Sequence, residues 1–113
     1  MRSRTTRAAV LLAIAAAAII PASAMGNAHA ARTRTVTLKD IRFHPGNLSI
    51  NRGDSVTWAW HDGRTRHNVT GASFHSHTQS HGSFTVRFTH TGTFNYRCTI
   101  HASKGMKGKI VVH

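Results

Sequence analysis

Residues 97–106, RCTIHASKGM, contain the chain's single cysteine. Within them Cys98, His101 and Met106 fall in a Cys-x2-His-x4-Met spacing. A thiolate, an imidazole and a thioether make a soft donor set, which selects copper over hard, oxygen-seeking ions such as magnesium and calcium. Each residue alone has an ordinary explanation: a buried free thiol, a turn histidine, a methionine filling a core. Their register on one short loop is what points to a metal.

A mononuclear centre needs a further donor, which can come from elsewhere in the chain. His67 opens the short extended segment HNVT, 31 residues before Cys98, and is the natural candidate. Two histidines and a cysteine in a plane, with a weak axial methionine, form the ligand set of a blue-copper electron-transfer site. A centre so filled leaves no position for a substrate, which argues against an enzyme. The metal would also hold the thiol as thiolate and suppress its disulfide and oxidation chemistry. A second group, His75, His77 and His81, reads first as part of a polar loop and secondarily as a surface site for Cu(II) or Zn(II). His44, His61, His90 and His113 show no pattern.

The elements that must position these residues are short and alternating. Residues 35–39 alternate, residues 41–43 run into the turn HPGN, and residues 48–50 close on NRGD, where glycine takes positive φ freely. Residues 55–60 put Val56, Trp58 and Trp60 on one face, so both tryptophans belong to the core. After the polar loop HDGR and the HNVT segment, residues 71–82 are rich in Ser, His and Gly with Phe74 as the one apolar anchor, and read as a loop. Residues 83–89, 94–98 and 108–112 supply the remaining strands. The expectation is an all-β Greek-key sandwich or barrel of about seven strands.

Ahead of this domain, Arg2, Arg4 and Arg7 precede an apolar run over residues 8–20, which Pro21 ends. That run of 13 residues is short of the roughly 20 that cross a bilayer, so it reads as a signal peptide over residues 1–30 and predicts no stable membrane insertion. Small-x-small cleavage sites end at Ala24 and Ala30, the latter preferred. The expected product is an exported, periplasmic or extracellular domain over residues 31–113. So small a domain is marginal without a staple, and one cysteine cannot supply an internal disulfide. A bound metal can.

Loss of three leader arginines lowers the net charge from +12 to +9, with Asp40, Asp54 and Asp62 the only acidic residues. Export and the scatter of the basic residues argue against nucleic acid, leaving a solvated basic surface or an acidic protein partner. One cysteine excludes a dinuclear copper centre with two bridging thiolates, and Cys-x-x-Cys-His for covalent haem is absent. No nucleophile motif supports a hydrolase.

From Thr35 to Val112 the chain resembles the cupredoxins, small type 1 blue copper proteins, and among them the plastocyanin and pseudoazurin group. The stretches that carry the resemblance are VTLKDIRFHPGNLSINRGDSVTWAW, RHNVT and FNYRCTIHASKGMKGKIVV. Amicyanins have a shorter His-to-Met gap than the one here. The resemblance implies one copper ion held by His67, Cys98, His101 and Met106, and a hydrogen bond from Asn68 toward Thr99 that ties the two ligand loops. It further implies a monomeric one-electron carrier, cycling Cu(I) and Cu(II) through the exposed edge of His101 to a redox protein partner, with Ala102 and Gly105 as small neighbours on a flat docking surface. Many relatives carry proline where this chain has Ile100, and residues 71–82 have no clear counterpart. The competing expectation is a copper protein that stores, buffers or delivers the metal. A sandwich reduced to a structural module is disfavoured by the complete ligand set.

Overall fold

Strict alternation of burial builds the first sheet outward from its most apolar strand. In β4 (Ser55–Trp60) Val56, Trp58 and Trp60 are buried while Ser55, Thr57 and Ala59 are half-buried, as a pleated strand with one face on a core requires. The computed structural model describes residues 29–113, so the expected signal peptide lies almost wholly outside the described residues. β4 pairs in parallel with β1 (Thr33–Lys39), aligning Val36 with Trp58 and Leu38 with Trp60. On its other side it pairs antiparallel with β6 (Ser83–Arg87), where Trp58 faces Phe84. β2 (Arg42–His44) folds back on β1 and completes a four-stranded sheet in the order β2-β1-β4-β6.

The second sheet has the order β3-β8-β7-β5. β8 (Lys107–Val112) lies between β3 (Asn47–Ile50), in parallel, and β7 (Gly92–Arg97), antiparallel; β5 (Thr70–Gly71) pairs with the end of β7. Leu48, Ile50, Tyr96, Ile110 and Val112 meet the tryptophan face of the first sheet in one core. Tyr96 packs edge-on against both Trp58 and Phe43, at ring-centroid distances of 5.2 and 4.7 Å. A Cβ on Gly108 would run into the Tyr96 phenol, so glycine is what admits that ring beneath β8.

Among the described residues the architecture is all-β, with eight strands in two mixed sheets where about seven were expected. The difference arises where residues 33–44 divide into β1 and β2 at a two-residue turn, Asp40-Ile41; the HNVT segment still contributes one strand, the short β5. The loop over residues 71–82 is as expected, yet it is anchored. Phe74 packs against Trp58 and Phe88, and buried Ser76 accepts the Val69 N–H and donates to the His77 carbonyl. Among the described residues no helix is long and apolar enough to cross a membrane.

Candidate metal centre

Strand period delivers the cysteine. Tyr96 points into the core near the end of β7, and two residues further Cys98, just beyond the strand, falls on the same side. It is fully buried. Its N–H donates to the Met106 carbonyl (3.1 Å), and the Met106 N–H donates to the His101 carbonyl (3.3 Å), so main-chain bonds close the loop that holds all three residues. Between them residues 102–104 make one 3-10 turn. Gly105 ends it in the left-handed region at φ 88°, its N–H on the Ala102 carbonyl. That conformation suits glycine. It turns the chain so that Met106, also fully buried, re-enters the core.

His67 reaches the same place from the segment that leads into β5, the neighbour of β7 in the second sheet. Its main chain exchanges two hydrogen bonds with Gln79 (2.9 and 3.0 Å), and its carbonyl also accepts the Trp60 indole N–H (3.1 Å). The imidazole is fully buried. Its Nδ1 lies 3.1 Å from His101 Nδ1 and 3.9 Å from Cys98 Sγ, and His101 Nδ1 lies 3.6 Å from the sulfur. Donors held roughly 2.0–2.3 Å from one first-row ion stand roughly 3–4 Å from each other, so the three spacings fit a single small ion. Among the described residues this is the one group of three or more histidine, cysteine or acidic side chains so arranged. His75, His77 and His81, all exposed, form no such group.

The supporting bonds include one that was expected and one that sequence reasoning missed. Asn68 Nδ2 donates to Thr99 Oγ1 (2.7 Å) and Asn68 Oδ1 accepts the Thr99 N–H (3.0 Å), tying the His67 segment to the Cys98 loop as anticipated. The missed residue is Asp62, which the sequence places only in the polar loop HDGR. Its Oδ2 accepts the His67 Nε2–H at 2.7 Å, an acid–base contact within salt-bridge distance. The scarcity of acidic residues was the available signal: one of only three stands five positions before the histidine. Burial works to raise the Asp62 pKa, but hydrogen bonds from His67 and from the Ile41 and Asp40 N–H groups outweigh it and hold the carboxyl below its usual 3.8. At His101 desolvation comes first and the nearby His67 and Lys104 add to it, lowering its pKa, while Asp62 acts in the opposite sense.

Of the four expected donors His101 is the most exposed; the other three are fully buried. Beside it Ile100 is the large hydrophobic side chain left in solvent, at 48% exposure. A soft, dry donor set with one edge at the surface can hold an ion through a change of charge with little rearrangement.

Comparison with known proteins agrees with this geometry. The family model for copper binding proteins of the plastocyanin/azurin family matches residues 30–113. A chloroplastic plastocyanin of Tetradesmus obliquus is 32% identical over 84 residues, covering 62% of this chain and 57% of its own, so the chain spans little more than half of that relative. The copper-resistant cuproprotein CopI of Rubrivivax gelatinosus is 31% identical, covering 75% and 68%. Amicyanin-alpha of Methylorubrum extorquens is 30% identical, covering 93% and 94%. A solved amicyanin mutant in its Cu(I) form superposes with a TM-score of 0.64 at 25% identity, over 72% of this chain and 82% of that one. With His67, Cys98 and His101 grouped as a site for one type 1 copper ion, and that match running the length of the sandwich, the chain belongs to the plastocyanin/azurin family of copper-binding proteins, the cupredoxins.

Proposed function

We propose that the chain is an exported electron carrier, made with a signal peptide over residues 1–30 and working as the domain 31–113, and not an enzyme. His67, Cys98 and His101 are its equatorial copper ligands and Met106 the axial one. The observation that carries this reading is the convergence of two imidazole nitrogens and one thiolate sulfur within 3.1–3.9 Å of one another. Bound there, copper supplies a one-electron couple between Cu(I) and Cu(II). The protein's part is to hold the donors still. Asn68, Asp62, Gln79 and Trp60 fix the His67 side, and the bonds among Cys98, His101 and Met106 fix the loop.

Electrons pass by the edge of His101, where the exposed, apolar Ile100 and the small Ala102 and Gly105 carry no charge. Two of the three carboxylates are occupied internally: Asp62 as above, and buried Asp54 on the Arg32 and Asn51 N–H groups. The outer surface is therefore basic with little compensation, which suits an acidic redox partner engaged by a monomer, with association weakening as salt rises.

The test is direct. The protein is expressed, treated with Cu(II) and examined by visible and paramagnetic resonance spectroscopy. An intense thiolate-to-copper band with compressed hyperfine splitting is expected, lost in Cys98→Ser and kept when His75, His77 and His81 are changed together. A colourless wild type, or loss of the band in the triple variant, overturns the ligand set. The second reading, copper storage or delivery, is favoured by the likeness to a copper-resistant cuproprotein. It requires rapid release of copper to a competing chelator, whereas a carrier keeps its metal through many redox cycles.

A further inference from the structure

The Asp62 carboxylate joins two things that have no other reason to meet. One is the His67 ring, whose Nε2 it receives at 2.7 Å. The other is the β1–β2 turn: Asp62 Oδ1 accepts the Asp40 N–H (3.0 Å) and Oδ2 the Ile41 N–H (3.1 Å). That turn is strained on its own terms. Asp40 and Ile41 both have positive φ, at 55° and 56°, as a two-residue type I′ hairpin demands, and a β-branched residue takes that conformation rarely. Asp62 is itself set by a short turn in which the Thr65 N–H bonds to the Asp62 carbonyl (3.0 Å) and Gly63 sits at φ 62°. Its side chain is only 15% exposed.

An ionised carboxylate only accepts, and the Asp40 and Ile41 N–H groups and the ring nitrogen converging on Asp62 favour that form, so the proton between it and the ring belongs to His67 Nε2. A neutral imidazole carrying its proton there has its bare lone pair on Nδ1, the nitrogen that faces Cys98 and His101. The carboxylate thus selects the tautomer, aims the ring and places a negative charge one imidazole away from the centre.

Building on the ligand reading above, we propose that Asp62 is the positioning residue of this copper centre: it fixes His67 with Nδ1 toward the metal, favours Cu(II) over Cu(I) by its charge, and makes the β1–β2 turn a part of the site's frame. The alternative is that Asp62 only props the turn.

Two measurements separate these. In the metal-free protein, nitrogen-detected NMR of His67 reads the tautomer without any copper. The wild type shows an Nε2–H in slow exchange, and Asp62→Ala loses it. In the copper-loaded protein, Asp62→Asn keeps an acceptor for the ring but removes the charge. Copper affinity falls 10- to 100-fold and the reduction potential rises, by 59 mV for each tenfold by which Cu(II) is weakened more than Cu(I). Because Asp62→Asn also disturbs the turn, it is repeated in a D40N, I41G background, where Asn-Gly closes a type I′ turn unaided. Recovery of thermal stability there without recovery of the potential is expected. Recovery of both, or a wild-type His67 that carries its proton on Nδ1, overturns the proposal. A colourless wild type overturns the ligand reading instead, and is told apart because the tautomer is measured with no metal present.

Discussion

Asn68 and Thr99 are joined twice, side-chain amide to hydroxyl at 2.7 Å and main-chain N–H to amide oxygen at 3.0 Å, across 31 residues of sequence. The pair spans the gap between the segment that carries His67 and the loop that carries Cys98 and His101. Asn68 is buried and also holds Thr78 and Thr70. Asn68→Ala removes four hydrogen bonds at once and leaves the part-buried Thr99 N–H without its acceptor, and a group that loses its partner costs more than the bond itself was worth. The variant should lose about 2 kcal/mol in denaturant unfolding of the metal-free protein. It should also release copper faster, since the two halves of the site are no longer held in register.

Met106 is fully buried, so a change there mixes packing with ligation unless volume is kept. Met106→Leu is nearly volume-conserving and should cost less than about 1.5 kcal/mol in the metal-free protein. If Met106 is the axial donor, the blue band persists with altered intensity while the reduction potential rises, because Cu(I) tolerates three donors better than Cu(II) does. An unchanged potential in voltammetry would remove Met106 from the ligand set.

Gly105 stands in open space but at φ 88°. Gly105→Ala therefore meets no clash, only the left-handed backbone penalty of about 1–2 kcal/mol. Gly105→Asn should lose less, since asparagine tolerates that region. Thermal melts of the two variants check the order. A reversed order would mean that space, not backbone conformation, governs the position.

The single tyrosine gives a clean alkaline titration. Burial pushes the Tyr96 pKa from 10.0 up to about 12, with the Trp58 indole N–H beside the phenol acting in the opposite sense without overcoming it. The folded state thus disfavours the phenolate, while the unfolded chain ionises near 10.0. Stability from this group is intact below pH 10 and is lost as pH rises from there to about 12, by up to about 3 kcal/mol. Ultraviolet absorbance of the phenolate should rise with a midpoint near 12, or together with unfolding if the sandwich opens first. A midpoint near 10 in the folded protein would mean that the ring is not buried as described.

What could be read from the chain alone was whatever lies close together in it. Cys98, His101 and Met106 share one loop, so their spacing nearly dictates that they converge, and the alternation of Val56, Trp58 and Trp60 placed both tryptophans in the core. His67 is a candidate only from its place at the head of the HNVT segment, since a separation of 31 residues says nothing of distance without the fold, and the Asn68–Thr99 tie comes from resemblance alone. Tertiary structure decided three further matters. Sheet pairing divided residues 33–44 into two strands, because a positive-φ turn at Asp40-Ile41 reverses the chain. Anchoring by Phe74 and Ser76 shaped the histidine-rich loop and left His75, His77 and His81 outside the one candidate metal group among the described residues. The turn at Gly63, finally, brought Asp62 onto both His67 and the β1–β2 hairpin. The types and spacing of residues state which donors one loop can gather, whereas the second contact behind a ligand depends on turns and register that join distant parts of the chain.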